Sequence, residues 1–261
     1  MIIFKSINRL NKEVNFKANI GFVPTMGALH KGHFSLIKSS KKKCKKTLVS
    51  IFVNPSQFNK KNDYKNYPRN LKRDIKILKI LKVDYLLIPK INEIYKNKKT
   101  MKIKLNKKDK ILCVKYRPGH FEGVLAIINQ FLINIKAKFM FLGEKDYQQI
   151  HLLKKFIKSK FKTKIIPCKT VRLNNSLAYS SRNFLLSKNE IQKASLISNS
   201  VRNFYLSIKK NFRNKNNINE IKKNIESKRI KVDYFELRNK KNLSKKIDKN
   251  NFKIFIAYYI N

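Results

Sequence analysis

Between Asn19 and Pro167 short apolar runs alternate with stretches of helical spacing, and this alternation restricts what the chain can fold into more than any other feature. Asn19 to Val23 is a short apolar run ending in a strand, and a helix is predicted from His33 to Lys42. Thr47 to Val53 (TLVSIFV) is β-branched and apolar throughout, as a strand buried on both faces of a parallel sheet has to be. Helical spacing returns over Asn70 to Leu81, and Asp84 to Ile88 reads as a strand. GHFEGVLAIINQFLINI carries a helix, Phe139 to Leu142 a strand, DYQQIHLLKKFI a helix and Lys164 to Cys168 a strand. Strands separated by helices of this length imply an α/β fold with a doubly wound parallel sheet. Ligands in such sheets bind beyond the carboxyl ends of the strands.

A shift in composition marks a boundary. All six glycines lie between Gly21 and Gly143, and all six prolines between Pro24 and Pro167. The remainder reads as helices over about 188–209 and 218–227, followed by strands VDYFELR and FKIFIAYYI. The expected organisation is a larger domain over residues 1–169 and a smaller α+β C-terminal domain over 170–261.

The formal charge of +47 would suggest a polyanionic partner, but the excess is mostly lysine, runs from end to end, and accompanies a general excess of asparagine and isoleucine. A solvated lysine surface produced by compositional bias is therefore favoured over a specific nucleic-acid function. Cys44, Cys113 and Cys168 are far apart and match no CxxC pattern, which argues for a reducing cytoplasmic location and against a zinc or disulfide framework. No secretory signal is evident, and no run reaches the roughly 18 apolar residues a membrane span needs. A Walker A loop and a GxGxxG fingerprint are both missing, so a P-loop kinase and a dinucleotide dehydrogenase lose support.

Four stretches carry most of the polar chemistry. In PTMGALHKGH, residues 24–33, His30 and His33 stand three apart at a helix start, and they are two of only four histidines in the chain. Unpaired N–H groups and partial positive charge at a helix N-terminus favour phosphate. Gly27 and Gly32 let the backbone come close, and Lys31 adds charge. The bland alternative is a pair of histidines that only cap the helix. In FVNPSQF, residues 52–58, a buried strand releases Asn54 and Gln57, whose amides suit a hydroxylated substrate. In FLGEKDYQQ, residues 141–149, Lys145 can meet phosphate as a point charge, Asp146 can cap the helix, bind a ribose hydroxyl or reach a metal, and Gln149 follows one turn on. In LAYSSRN, residues 177–183, two hydroxyls and Arg182 make an anion-binding loop, unless one of the serines simply caps the next helix.

Taken in order, and with RPGHFEGV at 117–124, these stretches closely resemble the pantoate–β-alanine ligase family of the HxGH nucleotidyltransferase superfamily. HxGH alone would indicate only the superfamily; FVNPSQF and GEKDYQQ point to this ligase, against a nucleotidyltransferase with another acceptor. The resemblance implies a Rossmann-like ATP-binding domain, a smaller C-terminal lid, a homodimer, and Mg2+-dependent chemistry in two steps. Pantoate attacks the α-phosphate of ATP to give pantoyl adenylate and pyrophosphate, and β-alanine then displaces AMP. It further implies an ATP site made of Met26, Gly27, Ala28, Leu29, His30, Lys31, Gly32, His33, Gly143, Glu144, Lys145, Asp146, Val171, Tyr179, Ser180, Ser181 and Arg182. His33 would be the proton donor, with His30 and Lys145 beside it; Gln57 would contact pantoate and β-alanine, Gln149 pantoate, and Asn54 joins them as a substrate-side amide. Asn175 and Ser176 stand where the family usually has an acidic residue and glycine, and the chain stops short of the family's usual basic closing segment.

Overall fold

The computed structural model describes residues 1–95 and 103–260. The chain divides into two compact units, Met1–Val171 with Ser180–Arg182, and Arg172–Tyr179 with Asn183–Asn261.

The first unit opens with β1 (Ile2–Phe4), α1 (Ile7–Glu13), β2 (Ile20–Thr25), α2 (Lys31–Lys43) and β3 (Lys46–Ile51). It continues with α3 (Lys61–Lys65), α4 (Leu71–Ile80), β4 (Tyr85–Leu87), α5 (Ile91–Ile94), α6 (Cys113–Tyr116), α7 (His120–Asn134), β5 (Phe139–Gly143), α8 (Tyr147–Ile157) and β6 (Lys164–Cys168). The six strands form one parallel sheet in the order β1-β4-β3-β2-β5-β6. The order reverses between β2 and β5, which is where a doubly wound sheet offers a crevice.

Alternation along the strands sends neighbouring residues to opposite faces. Phe22, Leu48 and Met140 join one apolar cluster with Leu10 of α1, Phe131 of α7 and Leu153 of α8; Val23, Val49 and Phe141 join another with Ile37 of α2 and Leu78 of α4. Both faces are covered, which is why TLVSIFV is apolar throughout.

Two elements differ from expectation at the centre of this sheet. Strand β2 runs on through Pro24 to Thr25, two residues past Val23. Ile20 accepts from Lys138 on the β5 side and Thr25 accepts from Phe52 on the β3 side, so strand alternation turns Pro24 toward β5. Pairing with β5 is confined to Gly21 and Phe22, so the residue without an N–H sits where no ladder bond is required of it. Helix α2 begins at Lys31 with His30 as its N-cap, two residues before the predicted start.

In the second unit, α9 (Lys188–Lys210) and α10 (Ile218–Glu226) are followed by β7 (Lys231–Arg238) and β8 (Lys253–Tyr259), which pair antiparallel. Phe204, Ile208, Phe235 and Phe252 form its core. Among the described residues no helix is long and apolar enough to cross a membrane.

Candidate active site

The loop between β2 and α2 is held by a side chain 45 residues away. Asp74 of α4 is 1% exposed, and its two carboxylate oxygens accept the backbone N–H groups of Ala28 and Leu29, each at 2.8 Å. Gly27 and Ala28 both have positive φ, 75° and 49°. A Cβ on Gly27 would lie 3.0 Å from Asp74 Oδ2 in a backbone conformation that L side chains rarely adopt, so glycine is required there. Thr25 Oγ1 completes the anchoring, donating to the Ser50 carbonyl and accepting from Gly27 N–H. Burial pushes the Asp74 carboxyl up, and the two N–H donors and the Arg73 charge oppose the shift.

At the start of α2 each histidine offers Nδ1 to backbone. His30 Nδ1 accepts from Gly32 N–H at 3.1 Å, and His33 Nδ1 accepts from His30 N–H at 3.4 Å. With Nδ1 accepting, the neutral ring carries its proton on Nε2. The rings lie 4.0 Å apart, so a second proton would place like charges in contact. Burial lowers His30 to about 4, helped by the Lys145 charge. Burial also lowers His33 well below the ordinary histidine value, followed by the effects of His30 and Lys145. Both rings are neutral near pH 7 and act as N–H donors. Capping uses the Nδ1 edge of each ring, so it does not exclude a donor role for the Nε2 edge.

Lys145 and Asp146 lie in a single 3-10 turn, Glu144–Asp146, between β5 and α8, and are 3.8 Å apart. The turn leads directly into α8, whose N-cap residue is Asp146, but the Asp146 side chain makes no cap hydrogen bond. Their charges reach His30, which brings the GEKD turn to the HKGH loop. Gly143 ends β5, Gln149 is half-buried in α8, and Lys31 is exposed in the first turn of α2.

In the turn Pro55–Gln57, Asn54 departs from expectation. It is 1% exposed; its Nδ2 donates to the Gly123 carbonyl and to Gln57 Oε1, while Ser56 and Tyr95 donate to its Oδ1. Asn54 is buried and bonded within the protein, so it shapes the turn, and Gln57 is the more exposed of the two amides. Gln57 Nε2 donates to the Met26 sulfur. Its carbonyl accepts from His120 Nδ1 at 2.6 Å, while Arg117 donates to His120 Nε2 at 3.2 Å. His120 is thus the Nδ1–H tautomer, and burial with the Arg117 charge lowers it to about 4.

Ser181 Oγ donates to the Ala28 carbonyl at 3.1 Å and to that of Gly27 at 3.4 Å. Ser180 Oγ accepts the Arg182 N–H at 3.3 Å at the head of the 3-10 turn Ser181–Leu185, while α9 is capped by Ser187 in a reciprocal box with Glu190. Val171 and Ser180–Arg182 belong to the first unit and Tyr179 to the second. A cavity of about 660 Å³ is lined by Met26, Gly27 and Asp74 together with apolar residues from the ends of β3 and β4. Arg69, Asn70, Lys90, Asn92 and Tyr95 add polar groups to its lining, whereas His30, His33, Gln57, Lys145, Gln149 and Arg182 are not part of it.

Asp74 and His120 went unassigned in the sequence. An aspartate in a lysine-rich helix looks solvated, and its backbone partners lie 45 residues upstream. His120 stood inside RPGHFEGV, and its spacing from Gly123 was the available signal: a Cβ at Gly123 would meet the Ser56 carbonyl at 2.3 Å, so α7 abuts the Gln57 turn.

Residues 2–261 match the family model described as Pantoate-beta-alanine ligase. The chain belongs to that family. It is 41% identical to the pantothenate synthetase of Francisella tularensis subsp. novicida over 265 residues, covering 100% of this chain and 94% of the relative. It is 37% identical to that of Pseudothermotoga lettingae, covering 98% and 93%. Among solved ligases of the family, the Francisella tularensis pantoate-beta-alanine ligase complexed with Beta-gamma ATP and Beta-alanine superposes with a TM-score of 0.87 at 39% identity, covering 100% of this chain and 94% of that one. The Thermus thermophilus pantothenate synthetase gives 0.87 at 27% identity, covering 94% and 89%.

Proposed function

We propose that the chain is an ATP-dependent ligase that condenses pantoate with β-alanine through pantoyl adenylate, releasing pyrophosphate and then AMP. The observation that carries this reading is the family match over residues 2–261, with a relative 39% identical that holds Beta-gamma ATP and Beta-alanine.

The residues of the site suit each demand of the chemistry. The pantoate carboxylate is ionised at neutral pH and needs no base. The first step needs alignment and donors for charge on the departing pyrophosphate. The α2 N-terminus, the Nε2–H groups of His30 and His33, Lys145 and Arg182 supply them. Because His33 is neutral, it serves as a hydrogen-bond donor, and full proton transfer follows only when bound phosphates raise its proton affinity. Gln57, with its backbone held by His120, and Gln149 hold the hydroxylated acid. The second step takes β-alanine as its neutral amine, and positioning against an activated acyl group drives it.

No cluster of three or more His, Cys, Asp or Glu able to hold a metal occurs among the described residues. That fits Mg2+, which is commonly held by one or two carboxylates and substrate phosphates. Asp146, whose side chain is 60% exposed, would be its carboxylate ligand in this reading, and the ion would neutralise phosphate charge when bound. A cytoplasmic homodimer, a lid role for the second unit, and the ATP contacts of Met26–His33, Gly143–Asp146, Val171 and Tyr179–Arg182 belong to the same reading.

The test is formation of AMP and pyrophosphate from ATP, pantoate, β-alanine and Mg2+ by the purified protein. Product that depends on both acid and amine is expected. ATP turnover indifferent to pantoate would overturn the assignment.

A further inference from the structure

The Arg182 guanidinium is gripped from one edge and one face. Asp63 of α3, 119 residues away, accepts Nε–H at 3.2 Å on Oδ1 and Nη2–H at 3.0 and 2.8 Å on Oδ1 and Oδ2. The Tyr67 ring lies 5.4 Å from the guanidinium carbon, and the Tyr67 hydroxyl shares a hydrogen bond with Ser181, which itself donates to the Gly27 and Ala28 carbonyls. In a chain with 62 basic and 15 acidic residues, Asp63 has Lys61 and Lys65 two positions to either side, yet its carboxylate is engaged with Arg182 in this forked geometry. Asp63 takes the Nε and Nη2 edge and leaves the two Nη1 hydrogens for another anion. The charges of Arg182 and Asp146 both reach Tyr67 and His120, so the held guanidinium stands at the same site as the GEKD turn and the Gln57 turn.

We propose that Asp63 is a positioning residue for ATP: it fixes Arg182 so that the remaining edge of the guanidinium meets the phosphates. The inference rests on the ATP-dependent reading above. An unheld arginine must order a long side chain when phosphate arrives, whereas here the ordering precedes binding. Asp63 also brings a negative charge near the phosphates. That repulsion acts across the intervening guanidinium and is screened by solvent, with the pair 43% and 29% exposed, whereas misalignment acts at contact. Alignment is therefore the larger effect.

The test is steady-state kinetics and equilibrium ATP binding on Asp63→Ala, Asp63→Asn, Arg182→Gln and the double variant, with thermal melts alongside. Asp63→Ala is expected to raise KM and Kd for ATP about tenfold, the scale of one charge-assisted hydrogen bond, with KM for β-alanine unchanged. Asp63→Asn, which keeps the shape and one acceptor, falls between it and wild type and serves in its place if the alanine variant does not fold. In the Arg182→Gln background, removing Asp63 is expected to change ATP affinity less than twofold. Equal losses in both backgrounds, or tighter ATP binding by Asp63→Asn, overturn the proposal. A wild-type protein that forms no AMP from pantoate overturns the ligase reading instead, whereas an active wild type with an unaffected Asp63→Ala overturns only this inference.

Discussion

Asp74→Asn tests how the loop between β2 and α2 is held. The substitution keeps the side chain's shape but replaces one of two acceptor oxygens with an NH2 group, which then faces the N–H of Ala28 or Leu29. One charge-assisted bond, about 1.5–3 kcal/mol, is lost, and a second buried N–H is stranded at about 1–3 kcal/mol. Relief from burying a charge, the effect that raises the Asp74 carboxyl, returns about 1 kcal/mol. The net loss is about 1.5–5 kcal/mol, or a fall of roughly 3–20 °C in melting temperature for a chain of this size. Ala28 has to be held at a φ of 49°, so the released loop relaxes toward ordinary backbone geometry and carries the N-terminus of α2 with it. A fall of about 10² in kcat/KM for ATP is expected, because an ångström of displacement in a positioning element has that scale. Differential scanning calorimetry and ATP-dependent AMP release provide the measurements. A variant that melts within about 1 °C of wild type with an unchanged ATP KM would refute the view that Asp74 shapes the loop.

His33→Ala is expected to lower turnover by about 10² while the melting temperature falls by only a few degrees from the lost cap, checked by AMP release and circular dichroism. Acidification should destabilise the fold: His30 and His120 are lowered to about 4 from 6.5, so between those values the unfolded chain binds protons that the folded chain does not. Stability is then full above about pH 6.5 and declines toward pH 4, by about 1–2 kcal/mol per ring after discounting for partial exposure. Urea midpoints at pH 7 and 4.5 measure the decline, and His120→Gln should shrink it; an unchanged slope in that variant counts against the assignment. Ser176 has φ 68°, which costs a non-glycine residue about 1 kcal/mol, and its hydroxyl accepts from Arg202 Nη1 at 3.4 Å. Ser176→Gly should therefore raise the melting temperature by about 2–4 °C, and no rise would show that the arginine contact offsets the strain.

What the sequence made legible was whatever depended on periodicity or on residues close together. Lys164–Cys168 is a strand over the predicted residues, and α9 and α10 match their predicted spans to within a residue or two. Strand β1 and helix α1 escaped notice because three residues of strand and seven of helix show too little of either period. The early start of α2 escaped because histidine is not among the usual N-cap residues, so the helix seemed to begin with its apolar face. Asn54 reads as a substrate-side amide from its place where a buried strand opens into a turn, and its bond to the Gly123 carbonyl of α7, 69 residues on, has no local signal. Ser176 stood out as a departure from glycine, and the backbone there keeps the left-handed geometry that glycine would favour.

Pro24 bears on width. Paired strands run about 4.8 Å apart, less than a phosphate chain and its protein donors need between them. If β2 and β5 stayed paired to their last residues, the HKGH loop and the GEKD turn would leave the sheet at that spacing. A residue with no N–H ends the pairing after Phe22 while apolar contacts on both faces keep the strands in one sheet. The separation of the two strand ends thus follows from an atom the backbone lacks, and Pro24→Ala, by restoring it, is expected to favour closer pairing with no polar group of the site altered.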